Sequence, residues 1–95
     1  MFKLEKGKNK RFKAIFDDNK VVEFGQKGGS TYIDHSNEKK RTNYLKRHSK
    51  NPLEEKLFLN KKKYYKTPSI LSADILWGKS DNMKTNVKNY VKKYL

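Results

Sequence analysis

The N-terminal quarter of the chain alternates apolar and polar side chains. Residues 12–16 follow this alternation, and residues 21–24 form a second run of β-branched and aromatic side chains. The polar residues 17–20 between the two runs are typical of a tight turn. Residues 2–4 repeat the alternation and predict a further strand, because an isolated hairpin is barely stable in water. The pattern therefore predicts an antiparallel meander.

The rest of the chain has helical patterns. Residues 37–49 contain good helix formers after Ser36, which we expect to cap a helix. Thr67-Pro68 is a strong start signal for a helix over residues 68–77, and Gly78 is expected to end it. In the last segment, apolar side chains recur at helical spacing. These side chains are Met83, Val87, Tyr90, Val91 and Tyr94.

Together these elements predict an α+β fold, with an N-terminal antiparallel β-meander of two to three strands followed by about three helices packed on one face. Residues 1–95 are expected to form a single small basic domain. The predicted core takes apolar and aromatic side chains from both parts. It consists of Phe12, Phe16, Val22, Phe24, Tyr44, Leu45, Leu71, Ile75, Trp77, Val87 and Val91.

The chain is strongly basic, with 24 Lys and Arg against 10 Asp and Glu and a formal net charge of +14. The absence of cysteine excludes a disulfide framework, a thiolate metal site and a cysteine nucleophile. No apolar run approaches the roughly 20 residues of a membrane-spanning helix, and residues 1–6 lack the apolar stretch of a signal peptide. We therefore expect an intracellular protein that has no membrane partner.

The cations are concentrated in three segments. Residues 37–50 carry six Lys or Arg and one acid, residues 56–66 carry five Lys and no acid, and residues 79–95 carry five Lys and one acid. Such clustering is the electrostatic signature of a nucleic-acid-binding protein. Lys accounts for 21 of the 24 cations and contacts phosphate as a point charge, whereas Arg reads guanine bidentately. The composition thus favours backbone contacts without sequence specificity. The alternative is that the lysines only solvate the surface.

Other motifs allow more than one interpretation. The glycines of residues 25–30 follow a strand but lack the Gly-Lys-Ser/Thr ending of a phosphate-binding loop, so we expect them to supply positive φ angles, with Lys27 able to touch a phosphate. Leu53, Leu57 and Phe58 could mark a short helix, and the residues 61–66 that follow interleave Lys with Tyr. These rings either stack on unpaired bases or anchor a connector on the core.

Histidine chemistry is sparse. His35 and His48 are the two histidines, and neither has further ligands at zinc spacing, so we expect no metal and no cofactor. Asp34 beside His35 is the arrangement on which a small hydrolase or nuclease would depend, and mutating either residue would test it. Adjacent residues rarely point the same way. We therefore expect the protein not to be an enzyme.

Short strings spread over most of the chain resemble a small uncharacterised family encoded by large nucleocytoplasmic DNA viruses of eukaryotes. The strings are Phe24-Gly25-Gln26-Lys27-Gly28, Tyr32 with His35, Tyr44-x-x-Arg47-His48, and Ser72-Ala73-Asp74-Ile75-Leu76-Trp77. Gly29 stands where the family usually has an aromatic residue, and residues 53–65 diverge. The resemblance implies a viral source, a virion or replication context, and a location in the host cytoplasm, nucleus or virus particle. It implies no established activity.

The sequence as a whole predicts a non-enzymatic viral accessory or virion-associated protein that binds the phosphate backbone of DNA or RNA without sequence specificity. The alternative is a structural or adaptor protein of the virus particle whose basic surface docks an acidic protein. The apolar last third is also compatible with a homodimer. The predicted nucleic-acid-binding residues are Lys27, Lys39, Lys40, Lys46, Arg47, Lys50, Lys61, Lys62, Lys63 and Tyr64.

Overall fold

The computed structural model describes residues 2–95 and begins with the predicted meander. Strands β1 (Lys3–Lys6), β2 (Phe12–Ile15) and β3 (Val21–Phe24) form an antiparallel sheet in the order β1-β2-β3. In this register Ala14 of β2 pairs with Leu4 on one side and Val22 on the other. The α+β prediction with an N-terminal antiparallel meander is confirmed.

The two turns of the meander are held by local polar contacts. In the second turn, Asn19 has a positive φ of 67° and Lys20 donates its backbone N–H to the Asp18 carboxylate at 3.0 Å. In the first turn, the backbone N–H groups of residues 8–10 all donate to one carboxylate oxygen of Glu23, over 2.7–3.2 Å. Glu23 belongs to β3, so the third strand fixes the turn between the first two.

Six helices follow the sheet. They are α1 (Tyr32–His35), α2 (Glu38–Ser49), α3 (Glu55–Leu59), α4 (Lys61–Tyr64), α5 (Pro68–Leu71) and α6 (Met83–Tyr94). Helix α5 continues directly into a π-helical turn over Ser72–Leu76, here called the π segment. The predicted helices correspond to α2, to α5 with the π segment, and to α6. The short helix α3 contains Leu57 and Phe58, which could mark a short helix in the sequence, and the short helices α1 and α4 are additional. None of the helices in residues 2–95 is long and apolar enough to cross a membrane.

The helix starts follow the expected chemistry but not always the expected residue. Thr67 caps α5 by accepting from the backbone N–H of Ile70, as predicted. Helix α2 is capped by Asn37 instead of Ser36, which has a positive φ of 55° and ends α1. Asn82 caps α6. Asn, Asp, Ser and Thr can all cap a helix, so the sequence does not decide which of two neighbouring residues of these types is the cap.

The core joins the inner face of the sheet to the last third of the chain. Four of the predicted core residues are buried, namely Phe16, Phe24, Leu71 and Ile75, and four more pack against them while partly exposed, namely Phe12, Val22, Trp77 and Val87. Tyr44, Leu45 and Val91 are only half-buried. Helix α2 contains no buried residue. It therefore covers the edge of the core and does not enter it.

Candidate nucleic-acid interface

Helix α2 presents a row of exposed lysines. Lys39, Lys46 and Lys50 are all exposed, and at about 100° per residue they fall within roughly 40° of one another around the helix axis. Within residues 2–95 no carboxylate lies within ion-pairing distance of any of the three. These ammonium groups are therefore available to an external anion.

The rotation of α2 about its own axis is fixed by contacts on its opposite side. The Arg41 Nε donates to the carbonyl oxygens of Trp77 and Gly78 at 3.1 and 2.7 Å, and the Arg41 guanidinium lies 5.6 Å from the centre of the Tyr32 ring. Tyr44 stacks on Trp77 with ring centres 4.2 Å apart and planes at 5°. This inner face points the lysine row outwards.

A groove of about 1050 Å³ lies along the next side of α2. One wall is the end of β3 with the glycine-containing loop of residues 25–30, the other wall is α2, and the floor comes from α5 and the π segment. Lys10, Lys40 and Arg47 contribute cations to its lining, whereas Glu23 and Glu54 contribute carboxylates. Both carboxylates already have partners, because Glu23 accepts backbone N–H groups and Glu54 contacts a histidine.

Four aromatic side chains lie in contact beside this groove, and the series is here called the aromatic stack. Trp77 stacks on Tyr44, whereas the His35 ring is tilted against Trp77 at 5.4 Å and the His48 ring is tilted against Tyr44 at 4.1 Å. Burial, with the Glu54 carboxylate nearby, raises the pKa of Tyr44 to about 12, although the Arg47 guanidinium opposes the shift. The Tyr44 hydroxyl is therefore neutral at physiological pH. The strings that carry the family resemblance contribute Phe24, Tyr44, Arg47, His48 and Trp77 to the groove or its stack, as well as other residues.

The glycine loop behaves as predicted at two of its positions. Gly25 and Gly28 have positive φ angles of 84° and 76°, which let the chain leave the sheet abruptly. Lys27 is exposed, but its ammonium donates to the carbonyl oxygen of Lys8 at 2.6 Å. The structure thus places Lys27 as a brace between two loops, and its availability to phosphate is lower than the sequence suggested.

The predicted basic connector of residues 61–66 is partly helical and only partly available. Lys61 pairs with Asp74 of the π segment at 3.0 Å, so we leave it out of the candidate interface. Lys62 and Lys63 are exposed on α4. Tyr64 is half-buried, and its ring already has the Lys63 ammonium 5.5 Å from its centre. The ring is therefore a poor platform for an external base.

A second row of lysines, which we did not predict as a site, lies on α6. Lys84, Lys88 and Lys92 are exposed and spaced four residues apart, opposite the apolar side that packs on the core. The apolar stripe of α6 was predicted, and the lysines lie on the opposite side of the same helix. Their spacing of four residues was the sequence pattern that could have identified this row.

Asp34 and His35, on which a hydrolase or nuclease would depend, each contact other groups. Asp34 forms a bidentate pair with Arg11 at 2.6 and 2.7 Å and does not face the imidazole of His35. The Nδ1 atom of His35 accepts the backbone N–H of Asn37 at 2.9 Å. His48 contacts Glu54 at 2.8 Å. In the described part of the chain no group of three His, Cys, Asp or Glu side chains is placed to hold a metal ion.

The molecule is thus a small α+β protein with an exposed cationic helix beside a polar groove. Residues 2–48, which span the sheet and most of α2, match the model of a family of unknown function (DUF5754). No curated protein and no solved structure matches the chain. The match covers the lining residues of both walls, which come from the end of β3 with its loop and from α2, but not the floor, which lies in α5 and the π segment.

Proposed function

We propose that this protein is a non-enzymatic nucleic-acid-binding accessory protein that contacts the phosphate backbone without sequence specificity. The observation that carries the proposal is the exposed row of Lys39, Lys46 and Lys50 on a helix whose rotation is fixed from behind. Lys40 and Arg47 extend the row toward the groove. The family resemblance of the sequence supports a viral context for this role.

The predominance of lysine over arginine supports binding that depends on the phosphates and only weakly on the base sequence of the nucleic acid. Ammonium groups displace condensed counterions, so the logarithm of the association constant falls linearly with the logarithm of the salt concentration. If each of the five outward cations neutralises one phosphate of duplex DNA, the slope is about −4.5. These cations are Lys39, Lys40, Lys46, Arg47 and Lys50. Because only one of the five is an arginine, unrelated duplexes should bind with nearly equal affinity.

The test compares two charge-reversed variants of the full chain. Lys39→Glu with Lys46→Glu changes the α2 row, and Lys84→Glu with Lys92→Glu makes the same change on α6, at similar distances from the helix ends. We expect the α2 variant to weaken binding to every duplex by at least about tenfold and to flatten the salt slope by about two contacts. The measurement is a fluorescence-anisotropy titration of unrelated duplexes at several salt concentrations.

The α6 variant is the control for net charge, because both variants lose the same amount of positive charge. Equal weakening by the two variants would show that total charge matters and that α2 has no special role. Unchanged duplex binding by the α2 variant would contradict the proposal. If the protein instead captures one acidic protein and this association survives nuclease treatment, the adaptor alternative is supported.

A further inference from the structure

We infer that the groove beside α2 binds one unpaired nucleotide of a nucleic-acid strand, with its base among the aromatic side chains and its phosphate on Arg47 and Lys40. This inference rests on the proposed function and extends it from backbone contact to a preference for unpaired strands. It shares Lys40 and Arg47 with the proposed function but depends on the groove and not on the exposed lysine row, so a variant inside the groove tests it separately.

The groove has the size and lining that a nucleotide requires. Its volume of about 1050 Å³ is at the upper end of the range usual for small-molecule sites, and polar groups line it together with ring surfaces. Asn43, Ser69, Ser72 and Gln26 provide amide and hydroxyl groups that can pair with the edge of a base. A paired base exposes only its groove edges and cannot enter, whereas an unpaired base can be splayed out and stacked.

The groove lining also supplies cations for the phosphate attached to that base. Lys40 and Arg47 are two helical turns apart on the α2 wall and have no ion-pairing carboxylate within residues 2–95, while Lys10 faces the groove from the sheet side. The two carboxylates of the lining are engaged by protein donors. The lining therefore favours a ligand that is both aromatic and anionic.

The aromatic side chains beside the groove supply apolar contact surface, mainly ring edges because Tyr44 lies between Trp77 and His48, and also a spectroscopic probe. Tyr44, His48 and Trp77 all line the groove, and Trp77 is the single tryptophan of the chain. A base that stacks against these side chains should quench or shift the fluorescence of Trp77. Binding of phosphates to the outer lysine row should leave this fluorescence unchanged.

The experiment titrates the full chain with three polyanions of equal length: oligothymidylate, the same backbone with abasic sites in place of the bases, and a blunt duplex. We expect oligothymidylate to bind at least about fivefold more tightly than the abasic strand, since stacking of one base contributes roughly that much. We also expect it alone to change the Trp77 fluorescence. Repeating the titration with oligouridylate shows whether the site distinguishes DNA from RNA.

A variant that fills the groove provides the second measurement. Ser69→Tyr places a ring in the groove lining, and Thr85→Tyr adds the same ring to the exposed side of α6 as a control. We expect Ser69→Tyr to remove the preference for oligothymidylate over the abasic strand without changing duplex binding, and Thr85→Tyr to change neither. If Ser69→Tyr does not fold, the comparison of the three polyanions with the wild-type chain still decides the question.

The outcomes separate this inference from the proposed function. If all three polyanions bind equally and Trp77 fluorescence stays constant, the groove assignment is wrong while phosphate binding by α2 stands. If no polyanion binds even at low salt, the proposed function fails. Titration with thymidine monophosphate then tests the groove alone, and a constant Trp77 signal in that titration would overturn it as well.

Discussion

At the scale of single residues, Asp34 shows how a polar group that suggested catalysis instead stabilises the fold. Its carboxylate accepts hydrogen bonds from both terminal nitrogens of Arg11. It also accepts hydrogen bonds from the backbone N–H and the hydroxyl of Thr31, and the four distances are 2.6–2.9 Å. The Arg11 hydrogen bonds hold the pKa of Asp34 well below its usual value of 3.8. The pair joins the start of β2 to α1.

Replacing Asp34 should therefore cost stability in a pH-dependent way. The pKa of Asp34 is lower in the folded than in the unfolded chain, so its contribution is fully present above pH 3.8 and is lost as the pH falls below that value. We expect Asp34→Asn to destabilise the protein by about 1 kcal/mol at neutral pH, a value that allows for the partial exposure of the pair. The difference from wild type should shrink below pH 4 in urea unfolding experiments.

The exposed Glu55 provides the control for this prediction, since Glu55→Gln removes one negative charge without touching the Arg11 contact. Its effect on stability should be small and nearly independent of pH. A constant difference between wild type and Asp34→Asn from pH 7 down to about pH 2 would show that the carboxylate charge contributes nothing.

At the scale of elements, the joint between the π segment and α6 depends on one close approach. Asn86 is buried; its amide nitrogen donates to the carbonyl oxygens of Ile75 and Ser80, and its amide oxygen accepts the backbone N–H of Ser80. A methyl group on Gly78 would lie 2.3 Å from the Asp74 carbonyl oxygen and 2.6 Å from the Asn86 side chain. Gly78 is therefore required for close packing, and not for a left-handed helix end as its position suggested.

We expect Gly78→Ala to destabilise the protein by roughly 3 kcal/mol or more, because the obstructing atoms are backbone and a buried side chain that cannot move aside. The matched control is Gly28→Ala, where no atom lies within 4 Å of the added methyl and the positive φ of 76° is the only obstacle. That change should cost about 1–2 kcal/mol. Urea unfolding compares the two variants. Equal losses would show that the contact at Gly78 relaxes.

The elements that could be predicted from the sequence are those decided by local patterns. The meander follows from its period of two and its turn, and α6 follows from an apolar stripe at helical spacing. Leu57 and Phe58 indicated that a short helix could form where α3 lies. The short helix α4 could not be predicted, because its sequence is polar and its position depends on contacts such as Lys61 with Asp74. No local pattern distinguishes the π-helical turn over Ser72–Leu76 from the rest of the predicted helix.

The candidate site likewise has one part that local sequence patterns predict and another part that depends on distant contacts. The outward row of α2 could be predicted, since clustered lysines on a polar helix must face water. The groove could not, because its walls come from the end of β3, α2 and α5, which are far apart in the sequence. The sequence also could not show which cations already contact other residues of the chain. Lys61 and Lys27 make contacts with distant residues that no local pattern encodes.

At the scale of the whole molecule, the net charge of +14 acts on stability and on binding with opposite signs. The radius of gyration is 12.5 Å, and the screening length is about 30 Å at 0.01 M salt, so most cations repel one another at low ionic strength. Added salt should therefore raise the melting temperature. The same salt should weaken binding to a polyanion, because each counterion released into a more concentrated solution gains less entropy.

Because positive charge lowers stability but strengthens binding, the charge-reversed variants also report on stability. Both the α2 variant (Lys39→Glu with Lys46→Glu) and the α6 variant (Lys84→Glu with Lys92→Glu) reduce self-repulsion, so at low salt both should melt at least as high as wild type. Only the α2 variant should bind duplex more weakly. A thermal melt at about 0.01 M and 0.15 M salt beside each binding titration checks this, since the screening length shortens from about 30 to 8 Å over that range. If the α2 variant melts clearly lower than the α6 variant, its weaker binding reflects a damaged helix and not lost phosphate contacts.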